Sequence, residues 1–387
     1  MELAPGSCLR PSGGVASSID ASPTDDAKTP VTTKPLGKAQ HEAWFQGTDI
    51  VAALRIYDGD REYDLPSKST FTLGASRSCD VSVIGRDLSA LHCAFERRGM
   101  RLRVHDQHST NGMFFGGRRV DLIDLYPGDT FTAAPVTFIA MNEQMRAQRQ
   151  IIADLVGSSF TPTPDRVLVD AVKSSNHLLI TGETGCDLDR LARAIHAVSL
   201  RRSCPLVEIA ELPEAPEAQR DILERTARST LLIRLDVIET PLDPSFLSMA
   251  FSPDYHIRVI AIAATTRMAR KLLAIDEMEQ LQHIWVRPLS MRPGDVPELL
   301  DHLLAERQAG FRLADLSPSN HDVLCSYHWR DNFIGLRLAA DRLAAIARVQ
   351  GWEAMNWQER SNALGLPKTT TYNWFNGLGL TLPLFAA

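Results

Sequence analysis

The chain has 387 residues, 44% of them hydrophobic and 23% charged, which suits two or three folded domains and excludes disorder throughout. Forty-one Lys and Arg against 47 Asp and Glu leave a net charge of −6, which argues against a wholly basic surface but allows a local nucleic-acid patch. With no run of about 18 apolar residues, no basic leader and six scattered, unpaired cysteines, a cytoplasmic protein is expected, without membrane span, metal or cofactor.

Residues 1–47 are rich in Pro, Gly, Ser and Thr, and too poor in large apolar residues to offset their ordering entropy. A disordered tail is expected. Over 48–142 the texture changes to short alternating runs. Those at 53–57 and 61–65 flank Asp58-Gly59 as in a hairpin, and others follow at 70–74, 94–97, 101–106, 112–115 and 130–141. Such spacing predicts a β-sandwich. A connector helix is expected over 143–154. From 155 to 294, apolar runs (177–181, 230–235, 258–264) alternate with helix-length stretches (188–200, 216–228), which predicts an α/β domain with a parallel sheet. Residues 295–350 read as an all-helical lid and 351–387 as a last short helical unit.

The strings Phe71-Thr-Leu-Gly74, Ser89-Ala-Leu-His92, Asp106-Gln-His-Ser109-Thr110-Asn111-Gly112 and Leu125-Tyr-Pro-Gly128-Asp129 together resemble a forkhead-associated (FHA) domain. The resemblance implies a sandwich whose end loops bind phosphothreonine peptides. Ser89 would donate to the phosphate, Thr110 would sit beside it, and Asn111 would hold the peptide backbone. His92 would orient the loop. The family's phosphate-clamping arginine falls on Ala75; Arg77 and Arg86 are the nearby cations that could serve instead. Thr33, followed three residues on by Leu36, is a possible ligand within the chain's own tail. A sandwich that makes protein contacts without phosphate is the alternative.

Residues 151–350 resemble the AAA+ domain of sigma-54-dependent enhancer-binding activators. The landmarks are Leu178-Leu-Ile-Thr-Gly-Glu-Thr-Gly185, Ala192-Arg-Ala-Ile-His196, Ile260-Ala-Ile-Ala-Ala-Thr265, Asp295-Val-Pro and Trp329-Arg-Asp-Asn332. A phosphate loop of that kind wants a second glycine and then a lysine. Between Gly182, Gly185 and the following helix the chain supplies Asp187 and Leu188 at those places. Arg234 and Leu235 replace the strand-end acids, and Asp236 is expected to turn away from the Arg234 face. The sensor positions fall on Thr266 and Ile334, no arginine lies between Arg270 and Arg287, and the sigma-contacting GAFTGA string is missing. Hydrolysis depends on these charges, so no enzyme activity is expected.

The stretch 361–380 resembles the Fis-type helix-turn-helix that ends such activators. Gly365 would close the first helix and Pro367 would open the second. Ala363, Leu364, Leu366, Tyr372 and Phe375 would form its core, with Lys368, Thr369, Thr370 and Asn373 facing DNA. From Glu353 to Ala387 the basic residues Arg360 and Lys368 are offset by Glu353 and Glu359, so dimerisation through 332–349 would be needed for affinity. The expected fold is multidomain: an FHA β-sandwich, then an α/β AAA+-like domain with a helical lid and a C-terminal helix-turn-helix. The expected function is a homo-oligomeric, non-catalytic bacterial transcription regulator that binds DNA and a phosphorylated partner. The alternatives are an adaptor that has lost DNA binding and, behind it, an ATP-dependent sigma-54 activator.

Overall fold

The computed structural model describes residues 49–84, 87–157, 161–238 and 242–386. The tail, with Thr33 and Leu36, and Arg86 lie outside the described residues.

Among the described residues, eleven strands form the sandwich. One sheet has β1 (Ala53–Ile56), β2 (Glu62–Asp64), β7 (Met113–Phe115), β8 (Arg118–Val120), β10 (Thr130–Ala133) and β11 (Val136–Met141), in the order β2-β1-β11-β10-β7-β8. The other has β3 (Thr70–Gly74), β4 (Val81–Ser82), β5 (Cys93–Arg98), β6 (Arg101–Asp106) and β9 (Leu122–Leu125), in the order β4-β3-β5-β6-β9. The alternation of each strand sends Phe71, Phe95, Phe131 and Phe138 inward. Phe71 stacks on Phe95 with centroids 4.8 Å apart, and Phe131 on Phe138 at 5.5 Å. The run read as 130–141 is two strands of one hairpin, and β4, β8 and β9 fall outside the runs read from the sequence.

Strand β11 joins the sandwich to the α/β region. Phe138 and Ala140 face the sandwich interior, whereas Ile139 and Met141 enter a second core that the α/β region shares. Both faces of this strand are therefore buried. The helix after it, α1 (Glu143–Val156), is capped by Asn142 and buries Met145, Ile152, Leu155 and Val156. It is a packed structural element rather than a simple tether.

The α/β region contains α2 (Pro164–Lys173), β12 (His177–Thr181), α3 (Leu188–Val198), β13 (Leu206–Ile209), α4 (Pro216–Thr226), β14 (Thr230–Arg234), α5 (Pro244–Phe251), β15 (Arg258–Ala263), α6 (Thr266–Leu272), α7 (Ile275–Glu279) and β16 (Leu281–Trp285). Its sheet runs β13-β14-β15-β12-β16, every pair parallel. Strands buried on both faces read as continuous apolar runs, so β12, β14 and β15 were legible. The half-exposed β13 and β16 were not. The lid has α8 (Val296–Glu306), α9 (Pro318–Ser326) and α10 (Asn332–Ala347), and the chain ends in α11 (Trp357–Leu364) and α12 (Lys368–Gly377). No helix among the described residues is long and apolar enough to cross a membrane.

One carboxylate ties the sandwich to the α/β region. Asp165, at the start of α2, receives Arg55 from β1 at 3.2 Å, Arg149 from α1 at 3.0 Å and the amide of Asp58 at 2.8 Å. Its side chain is 1% exposed and that of Arg55 is 8%. Lys173 reaches Asp129 of the sandwich at 3.0 Å, and Gly128 packs so closely on Val172 that a Cβ there would come within 2.6 Å of it. Removing one member of a buried ion cluster leaves uncompensated charge. Asp165→Ala is expected to cost about 3–5 kcal/mol in urea unfolding, whereas Lys68→Ala, at the exposed pair with Asp80, should cost about 1 kcal/mol or less.

Candidate functional site

Two candidate sites stand at loop ends: one on the sandwich, one at the carboxyl edge of the parallel sheet.

On the sandwich, the loop before β5 meets the loop after β6. Ser89 Oγ accepts the amide of Thr110 at 3.0 Å and lies 3.4 Å from Thr110 Oγ1. Asn111 Nδ2 donates to the Asp87 carbonyl at 3.3 Å. Ser89 is half-buried, while Thr110 and Asn111 are exposed. The three residues named from the sequence are thus brought together. Their loops are held by groups beneath them. Ser109 Oγ donates to Asp106 at 2.5 Å and accepts the amide of Gly112 at 3.1 Å. His92, fully buried, contacts the Gly112 carbonyl at 3.3 Å, and burial lowers its pKa. That is the loop-orienting role expected of it. Gly74 lies against the Ala90 backbone, where a Cβ would come within 2.2 Å of the carbonyl oxygen.

The cation is where expectation and geometry part. Ala75 is half-buried and uses its amide on the Ser89 carbonyl at 2.9 Å. Arg77 is exposed and makes no hydrogen bond or ion pair with a described residue. Nothing draws it to Ser89.

At the sheet edge, a cleft of about 380 Å³ is lined by the loop 182–189 together with Arg234, Asp236, Ile262, Ala264 and Ile334. The crevice beyond the carboxyl ends of parallel strands is where such folds bind ligands. Leu188 is buried, and its methyl would lie 2.9 Å from a Cβ on Gly182, so it packs down on the loop as an apolar plug. Arg234 grips Asp236 with two bonds, 2.9 and 2.8 Å, and reaches Glu208 at 3.1 Å. This corrects the expectation that Asp236 turns away: residues two apart share a face, and the pairing holds the Arg234 guanidinium above its usual pKa. Leu235 is fully buried in the core.

The lid closes over this loop directly. Asn332 donates to the Thr184 carbonyl at 2.9 Å and accepts the Leu289 amide at 3.0 Å. The Ile334 amide donates to the Gly185 carbonyl at 3.1 Å, and Arg337 pairs with Asp187. Gly185, at φ +84°, lies so near Asp331 that a Cβ would come within 2.2 Å of its carbonyl oxygen, so glycine is required twice over. Asn332 itself has φ +45°, a conformation asparagine tolerates better than most residues.

In the C-terminal pair, Asn356 and Glu359 form a capping box at α11, and Gly365 closes that helix at φ +64°. Pro367 is the cap residue before α12 rather than its first turn. Lys368, Thr369, Thr370 and Asn373 all lie exposed on α12. The expected core needs correction: Ala363 and Tyr372 are exposed, Leu364 and Leu366 half-buried. Phe375 is buried, with the rings of Trp357 and Trp374 edge-on to it at centroid distances of 5.4 and 6.4 Å. Arg360, the other basic residue of this segment, is 4% exposed, donates to the carbonyls of Trp352 and Glu353 and stacks 4.8 Å from the Trp357 ring. Helix α10, expected to dimerise, turns Phe333, Leu336, Ala339, Ala340 and Leu343 into the lid core and leaves Ile334 and Leu338 exposed.

Two kinds of bond hold the lid to the loop, and their magnitudes differ. Asn332 is buried with both ends of its amide bonded, so Asn332→Ala should cost about 1–3 kcal/mol in urea unfolding. The Asp187–Arg337 pair is partly exposed, and Asp187→Ala should cost about 1 kcal/mol or less.

Comparison with known proteins bears on both sites. The FHA domain family model matches residues 71–133. Nitrogen assimilation regulatory protein NtrX of Azorhizobium caulinodans is 26% identical over 247 residues, 54% of this chain and 54% of its own. Anaerobic nitric oxide reductase transcription regulator NorR of Aeromonas salmonicida is 27% identical over 241 residues, 51% of this chain and 47% of its own. The chain spans about half the length of these regulators. Among solved structures, NtrX from Brucella abortus in complex with ATP aligns over 62% of this chain and 68% of its own, at 18% identity and a TM-score of 0.37. The Slr1951 protein from Synechocystis aligns over 24% of this chain and 95% of its own, at 22% identity and a TM-score of 0.22. On the family match, the two regulators and the landmarks of the α/β region, the chain is an FHA domain fused to a region like that of the sigma-54-dependent enhancer-binding regulators.

Proposed function

We propose that this protein is a non-catalytic transcription regulator. Its FHA loops take a phosphorylated protein partner, its α/β core is a scaffold without nucleotide chemistry, and its last helix pair contacts DNA. The observation that carries the reading is the state of the phosphate loop. A triphosphate needs a lysine and magnesium-binding acids. At the matching places stand a buried leucine, Leu188, and then Arg234 and Leu235, while the next acid along, Asp236, is already paired with Arg234. The lid bonds to Thr184 and Gly185 occupy carbonyls of the same loop. Full-length protein is expected to release no phosphate from MgATP above a blank. Steady release that disappears on Asp236→Asn would sink the non-catalytic reading.

DNA contact rests on the exposed face of α12. Lys368 there is the one basic residue from 353 to 386 that is not buried. Phosphate contacts supply much of DNA affinity, so a single copy should bind weakly and two copies on a two-fold site much better. In a gel-shift series with genomic fragments that co-purify with the protein, Lys368→Ala is expected to weaken binding and flatten its salt dependence by about one unit of slope. The burial of Arg360 specifically favours the second reading, a phosphoprotein adaptor without DNA binding. No enrichment of any fragment, and no shift at low salt, would decide for that adaptor.

A further inference from the structure

We propose that Arg119 is the cation that holds the phosphate in the FHA loops, in place of the arginine absent at Ala75. The proposal deepens the phosphopeptide reading and rests on it.

Arg119 lies on β8, opposite Phe114 of β7 in the antiparallel register. Gly112 is two residues before Phe114, so it is the diagonal neighbour of Arg119 on the same face. The guanidinium has settled there. Nε, Cζ and Nη2 of Arg119 lie 2.7, 2.9 and 3.0 Å from where a Cβ on Gly112 would stand. At φ +79° that position favours glycine for its backbone, and the missing side chain leaves the seat open. Gly112 is the residue directly after Thr110 and Asn111, so the seat adjoins the site.

The seat is also rigid. The Gly112 amide is held by Ser109 Oγ at 3.1 Å, and its carbonyl meets His92 at 3.3 Å and the Ala134 amide at 3.1 Å. Arg119 is exposed and makes no hydrogen bond or ion pair with a described residue, so its donors are available to a ligand. Arg77 is equally unpaired but lies on a loop with nothing to hold its side chain near Ser89. A cation resting on a fixed glycine loses less freedom on binding than one on an open loop. A phosphothreonine dianion placed against Ser89 and Thr110 would then meet a guanidinium able to give charge-assisted bonds.

The test uses full-length protein and two fluorescein-labelled degenerate peptide pools, one centred on phosphothreonine and the other on threonine, read by anisotropy. Wild type should prefer the phosphorylated pool. Arg119→Gln should weaken that binding about tenfold, Arg119→Lys less, since a point charge replaces the planar fork, and Arg77→Ala should leave it unchanged. Phospho-preference that survives Arg119→Gln at full strength, or that is lost only in Arg77→Ala, overturns the assignment while leaving the phosphopeptide reading standing. Equal binding of the two pools by wild type, or binding of neither, overturns both.

Discussion

The structure depends on Asp165. One buried carboxylate receives guanidinium groups from two different elements, Arg55 of the sandwich and Arg149 of α1, and also caps a backbone amide of the first hairpin at Asp58. Each arginine alone would leave lone pairs of the carboxylate unsatisfied in a dry interior, and the carboxylate alone would be prohibitively costly there. Together they join strand, connecting helix and α/β region at a single point. Around it the apolar side chains of β11 divide by parity between two cores, so the sandwich sheet is buried on both faces at that strand. A domain whose sheet is shared in this way does not swing on a tether. Its loops are joined to the α/β region through contacts that are already made.

The same economy of motion governs the sheet edge. In a nucleotide machine, the gap between phosphate loop and lid is bridged by the ligand. Here the bridge is made of protein: the Asn332 amide, the Ile334 backbone and the Arg337–Asp187 pair. Of these the buried amide carries the most free energy, because its donors and acceptors have no water to turn to. The surrounding charges are also matched within the chain, Arg234 with Asp236 and Glu208. Two carbonyls and one carboxylate of the loop are thus committed to the lid.

Much of this was legible in the residues. Buried strands such as β12 and β15 announce themselves as apolar runs, and the FHA loops by the joint spacing of Ser89, Thr110 and Asn111. What escaped was of two kinds. Short or half-exposed strands, β4, β8, β13 and β16, carry too little periodicity to register. Pairings between residues distant in sequence leave no local trace: nothing near Asp165 points to Arg55, and Arg119 looks like any hairpin-edge cation until Gly112 is found beneath it. Arg360 shows the same limit from the other side. It counts as one of only two basic residues in the last segment, but its aromatic neighbours Trp352 and Trp357 take it inside. Asp236 was misjudged for a simpler reason, since positions two apart on an extended chain face the same way.

The central claim is that the sandwich, core and lid form one clamped body that needs no nucleotide. A ligand bound only by the folded state raises its melting temperature in proportion to the logarithm of its concentration over its dissociation constant. Scanning calorimetry of the full-length protein, with and without millimolar MgATP, therefore tests it most directly. The account predicts a single cooperative transition at the same temperature in both samples. An upward shift with MgATP that grows with its concentration would contradict it.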